Sequence, residues 1–264
     1  MVDFFINLNP VIQALLATIF TWLITLLGAS LVYFFKTVNK NIMDGMLGFS
    51  AGIMIAASFF SLLKPAGEMA ESLNMVVWLV LTLGFISGGI LLFVGDIVFE
   101  HFYDKKKNSS SMKRILLLIF SITLHNIPEG LAVGVAFGSI AYNLDGATLG
   151  SALVLALGIG LQNFPEGTAV SVPLRREGLS RSKSFFYGQL SGIVEPISGV
   201  IGALLVLKVR LILPFLLSFA AGAMIYVVIQ ELIPASQSNK KKDLMALFSL
   251  LGFALMMILD IALS

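Results

Sequence analysis

Cysteine is missing from this sequence of 264 residues, and charged side chains make up only 12% of it. The lack of cysteine excludes disulfide bonds and thiolate metal ligands. The hydrophobic fraction is 58% and the mean hydropathy is +0.96, whereas soluble globular proteins are about a quarter charged. The near-neutral net charge of +2 gives no indication of a nucleic-acid partner. The composition therefore predicts an integral membrane protein whose surroundings are a lipid bilayer.

Apolar runs of about 20 residues are long enough to cross a bilayer as helices. We predict eight such spans, at residues 9–35, 42–63, 73–99, 114–138, 147–173, 184–207, 211–234 and 243–262. The connections between them are short, and the longest is a predicted cytoplasmic loop at 101–113. We therefore expect an all-α membrane protein in which residues 1–264 form a single transmembrane domain.

The basic residues of the connections predict the orientation of the chain. If the N-terminus lies outside, all of the 17 Lys and Arg residues except Lys64, Lys208 and Arg210 fall on the cytoplasmic side. Lys and Arg are enriched in the cytoplasmic loops of membrane proteins. Because the number of predicted spans is even, both termini are predicted to face outward.

Two related polar motifs interrupt the fourth and fifth spans. They read His-Asn-Ile-Pro-Glu-Gly at residues 125–130 and Gln-Asn-Phe-Pro-Glu-Gly at residues 162–167. Residues four positions apart lie on the same face of a helix. His125 and Glu129 therefore share a face in the fourth span, and Gln162 and Glu166 do so in the fifth.

The prolines of the two motifs, Pro128 and Pro165, lack an N–H group and crowd the carbonyl group four residues earlier. We therefore predict a kink in each helix that leaves backbone carbonyls free beside the polar residues. Two kinked helices, each with a carboxylate and carboxamides on one face, are predicted to form a divalent-metal site within the membrane.

Three glutamates, Glu129, Glu166 and Glu195, lie inside the fourth, fifth and sixth spans, and Glu195 also precedes a proline. An ionised side chain at the centre of a membrane helix costs roughly 2.5–3.5 kcal/mol on insertion scales. Protonated carboxyls that bond neighbouring helices are one explanation. A bound cation or a proton relay explains the three residues better, because no Lys or Arg in the spans is placed to neutralise them.

The donor types indicate which metals fit. One imidazole, several carboxylates and carboxamides, and no sulfur suit zinc, iron(II), manganese or cadmium. An intramembrane metalloprotease is a second class of protein with His and Glu in a membrane. It requires a His-Glu-x-x-His pair, which is absent because the other histidine, His101, is isolated.

The two motifs resemble those of the ZIP family of divalent-metal transporters, and residues 185–199 and 222–234 resemble its GufA-type branch. The resemblance covers nearly the whole chain. It implies a metal site of seven residues, which are His125, Asn126, Glu129, Gln162, Asn163, Glu166 and Glu195. It also implies an outer mouth at Ser61 and Glu68 and an inner release region at Asp96, His101, Gln230 and Glu231.

Two positions depart from the pattern of some relatives. Asn163 stands where some have Asp, which removes a charge from the second of two metal positions, and Gln230 stands where some have His. The resemblance further implies a homodimer in which spans 1, 4, 5 and 6 slide as a bundle against spans 2, 3, 7 and 8.

The sequence therefore predicts a multi-pass protein of the plasma membrane, specifically a bacterial inner membrane, that imports a divalent metal without any cofactor. Zinc is the foremost substrate, with iron, manganese and cadmium as alternatives. Two other hypotheses remain open at this stage: a metal-selective channel without alternating access, and an intramembrane metal-dependent hydrolase.

Overall fold

The computed structural model describes residues 5, 7–35, 39–104, 110–142, 147–176, 178–208 and 210–263. Eight long helices fall within these ranges: α1 Pro10–Phe34, α2 Lys40–Ser72, α3 Val77–Asp104, α4 Ser110–Ser139, α5 Leu149–Arg176, α6 Arg181–Lys208, α7 Leu213–Gln237 and α8 Lys242–Leu263. Within these ranges, the structure does not describe the side chains at 99–122, 124, 125, 176, 210 and 263. The side chains of His101 and His125 are therefore among those not described, as is most of the predicted loop 101–113.

Six of the eight helices are long and apolar enough to cross a membrane, as judged over the described residues. They are α1, α2, α3, α6, α7 and α8. The other two, α4 and α5, carry the polar motifs, and much of α4 lies outside the described side chains. The all-helical membrane fold is thus confirmed for the described part of the chain. The crossing by α4 and α5 and the outward termini stay predictions.

Helices α2 and α7 each contain a widened, π-helical turn followed by a proline. These turns are Ser58–Leu63 and Val228–Leu232, and Pro65 and Pro234 lie in the first turn of the helical segment that follows each. Proline is tolerated at such a position because its missing N–H would have no helical partner there. For this reason α2 continues to Ser72, beyond the predicted span end at residue 63.

The helices associate in four close pairs, which are α1 with α5, α4 with α6, α2 with α8, and α3 with α7. In each pair a glycine lies against the backbone of the partner helix, where an added Cβ would overlap a carbonyl oxygen. One such glycine per pair is Gly28, Gly134, Gly52 and Gly88, respectively. Small residues at helix contacts allow close approach in lipid, where apolar burial gives little drive for association.

Each close pair falls inside one of two groups, α1, α4, α5 and α6 on one side and α2, α3, α7 and α8 on the other. Contacts between the groups, such as those of α2 with α5, involve side chains. Among the described glycines, Gly158 is the one that faces the other group, and its Cβ position lies 3.0 Å from the Cε atom of Met256. These groups are the two predicted bundles, and both the division into bundles and their relative motion stay predictions.

Candidate metal site

Both polar motifs lie on continuous helices, α4 and α5, which extend past Pro128 and Pro165. The predicted kinks stay predictions. The described motif side chains are buried: Asn126, Glu129, Gln162 and Asn163 are fully shielded from solvent and Glu166 is 4% exposed. Glu195 of α6 is also fully buried. A set of acids and amides is therefore enclosed between these helices.

The acids and amides lie near one another. Gln162 is a neighbour of Glu129, and Glu166 interacts electrostatically with both Glu129 and Glu195. Asn163 donates hydrogen bonds from its amide nitrogen to Glu195. The structure thus brings together six of the seven predicted ligands, and the seventh, His125, has a helical backbone and a side chain outside the description.

One half of the site consists of polar atoms without hydrogen-bond partners among the described residues. The buried atoms without such a partner are both carboxylate oxygens of Glu129, the amide oxygen and nitrogen of Asn126, Oε1 of Gln162 and Oε2 of Glu166. A buried polar group without a partner is costly, and most such groups in proteins are satisfied. Carboxylate and carboxamide oxygens that converge in this way are suited to a hard or borderline divalent cation.

In the other half of the site, both oxygens of Glu195 have hydrogen-bond partners. Asn163 Nδ2 lies 2.9 Å from Oε1 and 2.9 Å from Oε2 of Glu195. Two threonines of α1 complete the set: the Thr21 hydroxyl donates to Oε2, and the Thr25 hydroxyl lies 3.5 Å from Oε1. Neither threonine was predicted. The available signal was the spacing of Thr18, Thr21 and Thr25 along one buried face of α1.

A group of three or more His, Cys, Asp or Glu side chains placed to hold a metal is not found among the described residues. Glu129, Glu166 and Glu195 therefore do not form such a group by themselves, and the other described donors of the site are the amides of Asn and Gln. Metal binding at these residues therefore remains a hypothesis that rests on the open oxygens.

At the predicted outer mouth, Ser61 lies in the π-helical turn of α2 and donates a hydrogen bond of 2.8 Å to Oδ2 of Asp260 on α8. Both residues are buried. Glu68 lies two turns further along α2 and is partly exposed. Sequence reasoning missed Asp260, although it is the one acid of the last apolar run, residues 243–262, apart from Asp243 at its first position.

The predicted inner release residues lie on α3 and α7. The hydroxyl of Tyr226 donates to Asp96 over 3.4 Å, and Glu231 lies in the π-helical turn of α7. Glu231 is near enough to interact electrostatically with both Tyr226 and Glu166. Gln230 is exposed, and His101 lies outside the described side chains.

Comparison with known proteins gives a consistent result. The sequence profile of the family described as "ZIP Zinc transporter" matches residues 104–260. The chain is 40% identical to zinc transporter ZIP11 of Bos taurus, over 97% of this chain and 98% of that protein. It is 34% identical to zinc transporter ZIPB of Bordetella bronchiseptica, over 90% of this chain and 77% of that protein. It is 33% identical to zinc transporter GufA of Myxococcus xanthus, over 94% of this chain and 98% of that protein.

Proposed function

We propose that this chain, which belongs to the ZIP zinc transporter family, imports a divalent transition metal into the cytoplasm. The ion would pass through the buried site of α4, α5 and α6. Its relatives are zinc transporters and not enzymes, so metal transport replaces the hydrolase hypothesis. Zinc is the foremost substrate, and iron, manganese and cadmium remain alternatives.

The observation that carries this proposal is the set of open oxygens on Asn126, Glu129, Gln162 and Glu166. Polar and ionisable groups inside a membrane protein commonly mark an ion pathway. His125, one helical turn before Glu129, would add the only nitrogen donor. The ligand set is mixed and partly neutral, which permits release as well as binding, as transport requires.

The distribution of residues over the two helix groups supports alternating access over an open channel. All seven proposed ligands lie on α4, α5 and α6, which belong to one group. The proposed outer mouth and inner release residues lie on α2, α3 and α7, which belong to the other. Sliding of the first group would therefore carry the ion from the outer mouth to the release region. We place the transporter in the plasma membrane, a bacterial inner membrane, as a homodimer.

Uptake by the purified protein in liposomes tests this function. We expect saturable zinc uptake that competing divalent metals inhibit, and the order of inhibition ranks the substrates. Glu129→Gln should abolish most of the uptake, because it removes one of the two open carboxylates. Glu71→Gln, the same change at an exposed position of α2, serves as the matched control. Flux that rises linearly with concentration would favour the channel, and no flux above empty liposomes would overturn the proposal.

A further inference from the structure

The three buried glutamates of the site are not equivalent in their hydrogen bonding. An ionised carboxylate has about four acceptor positions. The oxygens of Glu195 accept hydrogen bonds from the amide nitrogen of Asn163 and the hydroxyl of Thr21, and the Thr25 hydroxyl lies 3.5 Å from Oε1. Neither oxygen of Glu129 has a hydrogen bond within 3.5 Å among the described residues, although Gln162 is a close neighbour. Both oxygens of Glu195 therefore have hydrogen-bond donors from this chain, whereas neither oxygen of Glu129 has one.

The bonding of Glu195 also sets the orientation of its neighbours. Because the amide nitrogen of Asn163 faces the carboxylate, its oxygen Oδ1 points the other way and accepts a hydrogen bond of 3.4 Å from Gln162 Nε2. The Gln162 amide is thereby turned so that its oxygen, Oε1, is left open. Partners of this kind orient metal ligands without touching the metal.

We propose that Glu195 is a positioning residue, held by Thr21, Thr25 and Asn163, and that it orients Gln162 toward a single transported ion bound by the open half of the site. This assignment rests on the proposed function and departs from the ligand set that family resemblance implies. Glu195 and Asn163 support the site, and Asn126, Glu129, Gln162 and Glu166 provide its described ligands.

The two threonine hydroxyls allow a test that keeps the ligands intact. Thr21→Val removes the hydroxyl but keeps the side-chain shape, and Thr21→Ser keeps the hydroxyl. Thr18→Val is the matched control, because Thr18 is equally buried on α1 and its hydroxyl donates to Ala14 O within the same helix. Full-length protein in detergent would be titrated with zinc by calorimetry, and the zinc-edge X-ray absorption spectrum would report the number of oxygen and nitrogen ligands.

We expect one ion per wild-type chain. Thr21→Val should weaken zinc binding about 10-fold, the lower end of the range for partners that orient ligands. Thr21→Ser should restore the affinity, and Thr18→Val should leave it unchanged. The absorption spectrum should be the same for wild type, Thr21→Val and Glu195→Gln, and should change in Glu129→Gln.

Two results would overturn the assignment while leaving the proposed function in place. One is a spectrum of Glu195→Gln that has lost an oxygen ligand. The other is two ions of similar affinity in the wild type, one of which is lost in Glu195→Gln. Equal zinc affinity in Thr21→Val and the wild type would also reject the role of the hydroxyl. A wild-type protein that binds no divalent metal would instead overturn the proposed function, and this assignment with it.

Discussion

Asn163→Asp is the substitution that tests the charge balance of the site most directly. It replaces the amide nitrogen that bonds both oxygens of Glu195 at 2.9 Å with an oxygen of nearly the same size. Two negative charges about 3 Å apart repel by roughly 5–6 kcal/mol at the effective dielectric constant of about 20 that suits protein sites. Without a metal, the variant should therefore be clearly less stable than the wild type at neutral pH.

A divalent cation between the two carboxylates would reverse the sign of that interaction. We therefore expect Asn163→Asp to bind two ions where the wild type binds one, and zinc should raise its melting temperature more than that of the wild type. Asn126→Asp is the matched control, because it adds the same charge to the open half of the site and should tighten the first ion without adding a second. Calorimetric stoichiometry and thermal unfolding in detergent measure both effects. An Asn163→Asp protein with wild-type stability and one ion would refute the reasoning.

Four further predictions follow from the packing, the site and the loops. Gly134→Ala should lower the stability of the folded protein by about 1–3 kcal/mol, because its Cβ would overlap a carbonyl of α6. Gly89→Ala, where the nearest atom is 3.8 Å away, should be neutral in the same thermal unfolding assay. Gly158→Leu should slow liposome uptake but leave zinc affinity near that of the wild type, because Gly158 faces the other helix group; unchanged uptake would contradict the sliding hypothesis. Zinc affinity should fall as the pH is lowered from about 7 to 5, because protons compete with the ion for carboxylate and imidazole ligands; constant affinity in calorimetry across that range would contradict this. A cysteine at Ser182 should react with an impermeant reagent only after the membrane is permeabilised, and labelling from outside would reverse the orientation.

The helices could be predicted because long apolar runs in a membrane protein have few alternatives to the helical state. The last predicted span, 243–262, is close to the observed Lys242–Leu263. The apolar run of the second predicted span ends at residue 63, before Lys64 and Pro65. The helix continues to Ser72 because a π-helical turn precedes the proline, and no hydropathy pattern reveals such a turn.

Helix spacing alone could group only the site residues that are close in the sequence, and Glu195 joined the predicted site through the family resemblance. The spacing of Asn126 and Glu129 is a local property of one helix, and so is recognisable in the sequence. The contact between Thr21 and Glu195 joins residues 174 positions apart. A threonine in a membrane helix commonly bonds to its own backbone, and the hydroxyls of Thr18, Thr21 and Thr25 each have such a carbonyl within reach. Only the packing of α1 against α5 and α6 distinguishes the threonines that support the site from the one that does not.

The unequal bonding of the three glutamates would also account for a divalent charge on the ion proposed to bind there. Hydrogen-bond donors of the chain offset the energetic cost of burying the Glu195 carboxylate. Glu129 and Glu166 remain as two carboxylates with unbonded oxygens. One divalent ion neutralises both. A monovalent ion would leave one negative charge and a trivalent ion one positive charge, and an uncompensated charge is expensive in a medium of low dielectric constant. An acid at position 163 would leave the site with more negative charge than one divalent ion can neutralise. The amide at Asn163 therefore matches the number of open carboxylates to a single divalent cation.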